Sequence, residues 1–343
     1  MTDATLPPPD PGERLAADPE SAVLHAAAAA VEPLAQQVEM TPLDFPRRVL
    51  FVHAHPDDET IATGATMAKY AADGALVTLV TCTRGEEGEI VVDDLRHLGS
   101  DQEDRLGEHR VMELAAACEA LGVRDHRFLG GPGRYRDSGM MGRATNDDPR
   151  ALWQADLDDA TGLLVEVVRE VRPQVIVTED ENGSYGHPDH IRGHQLAVAA
   201  FDAAGDPARY PAAGVPWQPA KLYYTAVSKS SLRQLAEYVR TAGIETPFGD
   251  GIESVDDVPF GVPDEQVTTV VDARDQLAAK VAALRAHRSQ VAEGGMFFAL
   301  AELPDRLWGA EEYVLARGER GPASAADGRE GDLFAGVGAA GTP

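Results

Sequence analysis

Two short stretches hold most of the residues able to do chemistry. His53-Ala-His-Pro-Asp-Asp-Glu59 packs two imidazoles and three carboxylates into seven residues, and Tyr185-Gly-His-Pro-Asp-His190 sets two histidines around an aspartate. Imidazole with carboxylate suits a divalent transition metal. His55 and Asp58 are three apart, so a tight turn brings both to one ion. His190 is the candidate third ligand, arriving from a distant stretch. Three protein ligands with open positions for water are the form of a catalytic zinc site. Such an ion acidifies its water and polarises a carbonyl. Asp57 lies between the two ligands, points differently and is free to act as a base. In the second stretch His187 can donate to an oxyanion with Asp189 orienting its ring, and the Tyr185 hydroxyl can serve the same oxygen. The chemistry is metal-assisted hydrolysis. Zn2+ is the expected ion, with Fe2+ the alternative that metal availability can impose.

The elements that must position these groups are legible around them. Val49 to Val52 is a short apolar run that reads as a buried strand ending at the first cluster, and Val175 to Val177 does the same for the second. In α/β proteins ligands bind beyond the carboxyl ends of parallel strands. Helical patterns run from Thr66 to Ala72, Arg105 to Leu121, Ala155 to Arg172 and from His190 through Phe201. Further strands are expected at Leu76 to Cys82 and His126 to Leu129. This alternation predicts an α/β fold: a Rossmann-like, mostly parallel sheet flanked by helices. Thr145 to Gln154 reads as surface loop. After proline-rich 207–219 come a strand at Lys221 to Val227, a helix at Ser230 to Thr241, a loop at Pro247 to Pro263 and a strand at Val267 to Val271. Asp272 to Arg288 reads as an amphipathic helix with Leu277, Val281 and Leu284 on one face.

Residues 46–205 are thus expected to form the metal-hydrolase domain, and 206–318 a smaller α+β part closing over the strand ends. Residues 1–45 read as a largely disordered extension with a short helix at Ser21 to Gln37. Residues 319–343 read as a mobile tail in which Leu333-Phe334 can dock.

Plainer readings apply to other residues. His53 alternates with His55 and faces inward, as a satisfied core histidine or one behind the ligands. Glu59 opens the next helix, where an acid suits the dipole. Glu86, Glu87 and Glu89 suit a solvated loop as well as a substrate role. Gly130-Gly-Pro-Gly133 lacks the Gly-x-Gly-x-x-Gly spacing of a phosphate cradle, and Cys82 reads as buried. A lone His or Asp after a strand is usually an ordinary loop residue, but two such clusters on one predicted rim are not explained that way.

The formal charge of −27, from 57 acidic and 30 basic residues in 343, disfavours nucleic acid or an anionic membrane as partner. Two cysteines exclude a disulfide scaffold and a cysteine zinc site. No apolar stretch approaches ~20 residues and no secretion signal opens the chain, so a cytoplasmic protein is expected.

Ala54-His-Pro-Asp-Asp-Glu59 with Gly64-Ala65, Thr81-Cys-Thr-Arg-Gly-Glu-Glu-Gly-Glu89, and Tyr185-Gly-His-Pro-Asp-His190 together resemble the LmbE-like (PIG-L) zinc deacetylases over roughly residues 47–318. The loop from Gly130 to Gly142 most resembles the branch that deacetylates N-acetylglucosaminyl-inositol in mycothiol biosynthesis. Residues 209–230 and Ala286-His-Arg-Ser-Gln290 with Phe297-Phe298 also resemble the related branch that cleaves mycothiol S-conjugates. The resemblance implies zinc on His55, Asp58 and His190, with Asp57 as base and His187 and Tyr185 at the oxyanion. It implies sugar or inositol hydroxyls on Arg110, Asp137 and Glu89, and hence a small amino-sugar inositol as partner. Where the family pattern has Thr-Tyr-Asp-Pro-Asn-Gly-Gly, this chain has Thr178-Glu-Asp-Glu-Asn-Gly-Ser184, adding Glu179 and Glu181 to the expected substrate rim. Three functions are carried forward: the deacetylase, the conjugate amidase, and a binding module that holds a polyol or metal without turnover.

Overall fold

Val49, Leu50, Phe51 and Val52 have no exposure at all, which a strand reaches only when both faces of its sheet are covered. In the computed structural model, which describes residues 46–242, 261–303, 308–324 and 327–338, that strand is β1 (Arg48–His53). It is an interior strand of a seven-stranded sheet with β2 (Leu76–Thr81), β3 (Asp125–Phe128), β4 (Val175–Thr178), β5 (Lys221–Ala226), β6 (Thr269–Asp272) and β7 (Ala310–Arg317). The order is β3-β2-β1-β4-β5-β7-β6. The first five strands are parallel; β7 runs antiparallel to both β5 and β6.

Alternate residues of β1 serve two cores. Val49 and Phe51 join Met67, Leu114 and Ala283 on one face, while Leu50 and Val52 join Leu164, Val165 and Leu196 on the other. The first face is covered by α1 (Asp58–Ala72), α2 (Leu106–Leu121) and α6 (Leu277–Ala286), the second by α3 (Leu157–Val171) and α4 (Pro188–Ala204). Local chemistry sets the helix ends. Asp156 caps α3 by accepting from the Asp158 and Asp159 amides at 2.9 and 3.0 Å. Gly122, at φ 73°, closes α2 in the left-handed region.

The parallel α/β architecture expected from the alternation is the one present. α1 begins eight residues earlier than the periodicity indicates, at Asp58, because small residues, Ala62, Gly64 and Ala65, blur its apolar stripe. The stretch 145–154, expected as surface loop, forms two 3-10 turns (Ala144–Asp147, Leu152–Gln154) and buries Asn146, Ala151 and Leu152. The long helix expected at 272–288 is a 3-10 turn followed by the shorter α6. β7 has no sequence expectation behind it: its buried alternate positions, Glu311 and Tyr313, include a carboxylate, which masks the apolar alternation. The sheet runs on through the expected boundary at 205/206, since β5 pairs with β4. From the C-terminal part, α5 (Lys229–Ala242) and α7 (Met296–Ala301) supply Leu232 and Phe297 to the wall of the cavity above the sheet. The extension 1–45 and most of the expected loop at 247–263 lie outside the described residues. No described helix is long and apolar enough to cross a membrane.

Past Gly318 the chain is not loose throughout. Leu333 and Phe334 are buried against the first core. Glu330, fully buried, accepts from Lys221 Nζ at 2.7 Å, Tyr223 Oη at 2.8 Å and Thr269 Oγ1 at 2.7 Å. Burial pushes this carboxyl up, but Lys221 and the hydroxyls outweigh it and hold it below its usual 4.5. A depressed folded pKa adds stability above about pH 4.5 that drains as pH falls through the folded value. Glu330→Gln should therefore cost about 3–5 kcal/mol near neutrality, the cost of stranding a buried cation. The melting-temperature gap to the native chain should narrow in acid, as differential scanning calorimetry at pH 7 and pH 4 would measure.

Candidate active site

β1 and β4 are parallel neighbours in register, Val52 opposite Thr178. β1 leads away to β2 on one side and β4 to β5 on the other, so the gap between them is the switch point where α/β sheets bind ligands. The chain leaving β1 reaches His55, and α1 opens with Asp58. The chain leaving β4 makes a kinked helical turn, Gly183–Gly186, and enters α4 with His187 at its N-cap and Pro188 in its first turn. Both clusters therefore meet above the sheet.

Asp58 is the meeting point. Its Oδ2 lies 3.4 Å from His55 Nδ1 and 3.3 Å from His190 Nε2, and accepts the His55 amide at 2.8 Å. The described donors form overlapping sets with atoms within 4.8 Å of one another: His55, His187 and His190; His55, Asp137, His187 and Asp189; Asp58, Glu179 and His190. Both ring nitrogens of His190 are buried without a hydrogen bond. Burial lowers its pKa, yet Asp58 and Glu179 outweigh burial and raise it to about 9. His55 is driven well up in the same way, against burial, by Asp137, Asp189 and Asp58. Asp58 and Asp137 are depressed far below the carboxylate range by these imidazoles, despite burial. So many buried carboxylates call for positive charge, and a divalent cation can stand where these rings hold their protons. The residues fit a metal.

Asp57 sits apart from this cluster. Its backbone is at φ 122°, a strained region for a side chain with Cβ. Glu59 holds it there, Oε2 accepting the Asp57 amide at 2.8 Å while Oε1 lies 2.8 Å from buried His287 Nε2. Arg110 Nη2 reaches Asp57 Oδ2 at 3.1 Å. Burial pushes the Asp57 carboxyl up to about 6, helped by Asp58 and Glu59 and opposed by Arg110 and His287. Arg110 also donates to the carbonyls of Gly85, at 2.8 Å, and Pro56. A Cβ at Gly85 would collide with Nη1, so the loop passes this close only because the residue is glycine.

Asp189 departs from expectation. Its backbone amide, not its carboxylate, meets His187 Nδ1, at 3.2 Å, because His187 is the N-cap and Asp189 the second residue of the helix. The carboxylate turns the other way, accepting from Ser138 N at 2.9 Å and Ser138 Oγ and lying 3.2 Å from His55 Nε2. Asp189 therefore steadies His55. The cap fixes the His187 tautomer: Nδ1 accepts, so the neutral ring carries its proton on Nε2. Burial and the nearby His55 lower the ring to about 3, keeping it neutral. Its edge packs on His55, centroids 4.6 Å apart. Tyr185 is 47% exposed and lines the cavity, its ring 5.2 Å from that of His190.

Of the expected hydroxyl binders, Glu89 is exposed on the cavity wall, and Asp137 Oδ1 lies 3.6 Å from His55 and 3.8 Å from His187. Glu179, expected on the rim, is buried against His53 and His190, whereas Glu181 is exposed. His53 is satisfied by Glu179 Oε1 at 2.8 Å and Thr63 Oγ1 at 2.9 Å. Sequence reasoning missed Ser138, Glu179 as an inner residue, and His287. Only Glu179 had a usable signal, its place directly after a buried strand.

A model of the family described as PIG-L: GlcNAc-PI de-N-acetylase matches residues 50–201. A relative from Thermomonospora curvata, named 1D-myo-inositol 2-acetamido-2-deoxy-alpha-D-glucopyranoside deacetylase, is 60% identical over 297 residues, 86% of this chain and 98% of the relative. The chain belongs to the PIG-L deacetylase family. A Geodermatophilus obscurus relative of the same name is 58% identical over 85% of this chain and 98% of its own length. A solved member of the same fold, N,N'-diacetylchitobiose deacetylase from Pyrococcus horikoshii, aligns with a TM-score of 0.54 over 88% of this chain and 94% of that one, at 18% identity. Within this PIG-L chain, most features that resemble the amidase branch are structural. Arg209 and Tyr210 bind Asp158, Lys221 and Tyr223 bind Glu330, and His287 binds Glu59, while Gln290 and Phe297 line the cavity. Metal analysis of purified protein should return a divalent transition metal that His190→Ala loses on dialysis. Equal metal content in the two proteins would contradict the fit.

Proposed function

We propose that the chain hydrolyses the acetamide of 1D-myo-inositol 2-acetamido-2-deoxy-alpha-D-glucopyranoside, releasing acetate and the free amine, as a cytoplasmic enzyme of mycothiol biosynthesis. The observation that carries the reaction is Asp57, a carboxylate aimed at the cavity beside a metal-competent cluster and anchored by Arg110 through Oδ2. The substrate rests on the names of the relatives and on a cavity of about 1590 Å³, roomy enough for a two-ring polyol and carrying Glu89, Arg110 and Asp137 among its lining residues.

In this reading His55, Asp58 and His190 hold Zn2+. When bound, the ion supplies Lewis-acid polarisation of the amide carbonyl and acidifies water. Asp57 takes the proton of the attacking water and passes one to the amide nitrogen as its bond to the acyl carbon breaks. His187 offers Nε2–H to the oxygen that gains charge, and the Tyr185 hydroxyl donates to the same atom. Asp189, itself held by Ser138, keeps His55 in place by direct contact. Asp137 and Glu89 accept from sugar or inositol hydroxyls, and Arg110 contributes mainly by fixing Asp57.

Two substitutions test the roles. Asp57→Asn should lower kcat by about 10²- to 10⁴-fold, the range for loss of a positioned base, with KM little changed. His187→Ala should cost about 10²- to 10³-fold in kcat. Native activity in Asp57→Asn would remove the base. Side-by-side kcat/KM on the acetamide and on a mycothiol S-conjugate should favour the acetamide; the reverse order would assign the amidase reaction instead, and tight sugar binding with no acetate release at any metal loading would leave only a binding module.

A further inference from the structure

Glu179 is the residue after β4, 2% exposed, and it faces two buried histidines at once. Its Oε1 lies 2.8 Å from His53 Nδ1 and its Oε2 lies 3.5 Å from His190 Nδ1. The far side of His53 is closed by Thr63, whose Oγ1 lies 2.9 Å from Nε2 and donates its own proton to the Glu59 carbonyl at 3.0 Å. A carboxylate only accepts, so the His53 proton that meets Glu179 Oε1 is the one on Nδ1. The chain from α1 through His53 locks the Glu179 carboxylate in one orientation. On the other side, His190 Nε2 faces Asp58 at 3.3 Å, toward the cavity, while Nδ1 is turned inward, buried, with no partner nearer than Glu179 Oε2.

We propose that Glu179 is a positioning residue for the metal, acting through His190. The inference rests on His190 being a ligand through Nε2, as in the function proposed above. An imidazole that ligates through Nε2 carries its proton on Nδ1, and here that proton points at a fixed, buried carboxylate. Such a partner sets the ring's tautomer and orientation and makes the ligating nitrogen more basic. Thr63, His53, Glu179 and His190 then form one line of contacts from the interior of α1 to the cation.

The variant that isolates the effect is Glu179→Gln. The amide oxygen can still accept from His190, and the amide N–H can donate to a neutral His53, so the fold keeps its hydrogen bonds and loses only the charge. Affinity for Zn2+ or Co2+ is read by competition with a chromophoric chelator, without substrate, so it stands apart from any failure of the deacetylase reading. The expected result is an affinity weakened about 10- to 100-fold, with the visible absorption bands of the Co2+-loaded protein unmoved and the melting temperature of the metal-free protein near native. His53→Gln should weaken binding less, because Glu179 remains. Affinity within about 2-fold of native in Glu179→Gln would overturn the proposal. So would displaced Co2+ bands, since they would make Glu179 a direct ligand rather than a partner of His190.

Discussion

Everything at the active site depends on β1 and β4 pairing in parallel at the point where the strand order reverses. That pairing is made almost wholly by apolar residues with no chemistry, Val49 to Val52 against Val175 to Val177 and then Thr178, buried on both faces by two separate helical layers. Parallel neighbours end on the same edge, so whatever follows them is delivered to one place. Here the delivered groups are His55 and Asp58 from one strand and Glu179, His187 and His190 from the other. A one-residue slip would exchange the two faces of β1 and turn its apolar side chains to the wrong layers. The core thereby enforces the geometry of the polar cluster above it.

The cluster in turn is a problem of charge. Asp58, Asp137, Glu179 and Asp189 crowd the same two imidazoles, and a buried carboxylate is tolerated only when it is paired and hydrogen-bonded. The chain meets part of this demand with fixed partners: Ser138 for Asp189, the Gly139 and Glu87 amides for Asp137, and His53 for Glu179. The demand left over falls on His55 and His190, where a cation belongs. Asp57 is kept out of this group by a backbone conformation that costs of order 1–3 kcal/mol, and Glu59, His287 and Arg110 hold it there. A strained carboxylate held off the cluster and facing the cavity has a use in moving protons and little use in passive binding.

The middle of the parallel half was legible because β1 and β4 are short apolar runs that each end in a cluster of histidine and carboxylate. β7 was not, since Glu311 occupies a buried strand position and reads as solvent-facing; its partners, the Ala65 and Thr66 amides and Lys280, come from α1 and α6. The ligand candidates were legible from residue type and spacing alone. The orientation of Asp189 was not, because it follows from which residue caps α4, and a cap is a statement about backbone geometry. Glu59 as the partner of His287, 228 positions away, belongs to the same class. The docked tail around Glu330 was hidden by its composition: glycine and alanine suggest mobility, and one buried ion pair with Lys221 overrides that tendency.

The central claim is that the two strand ends grip one ion and leave Asp57 off it. Anomalous diffraction from a crystal of the Zn2+-loaded protein measures this directly. The account predicts a single strong peak about 2.0–2.2 Å from His55, Asp58 and His190, with the Asp57 carboxylate outside bonding distance. A peak held by Asp57, or one held by Asp137, His187 and Asp189 without His190, would contradict it.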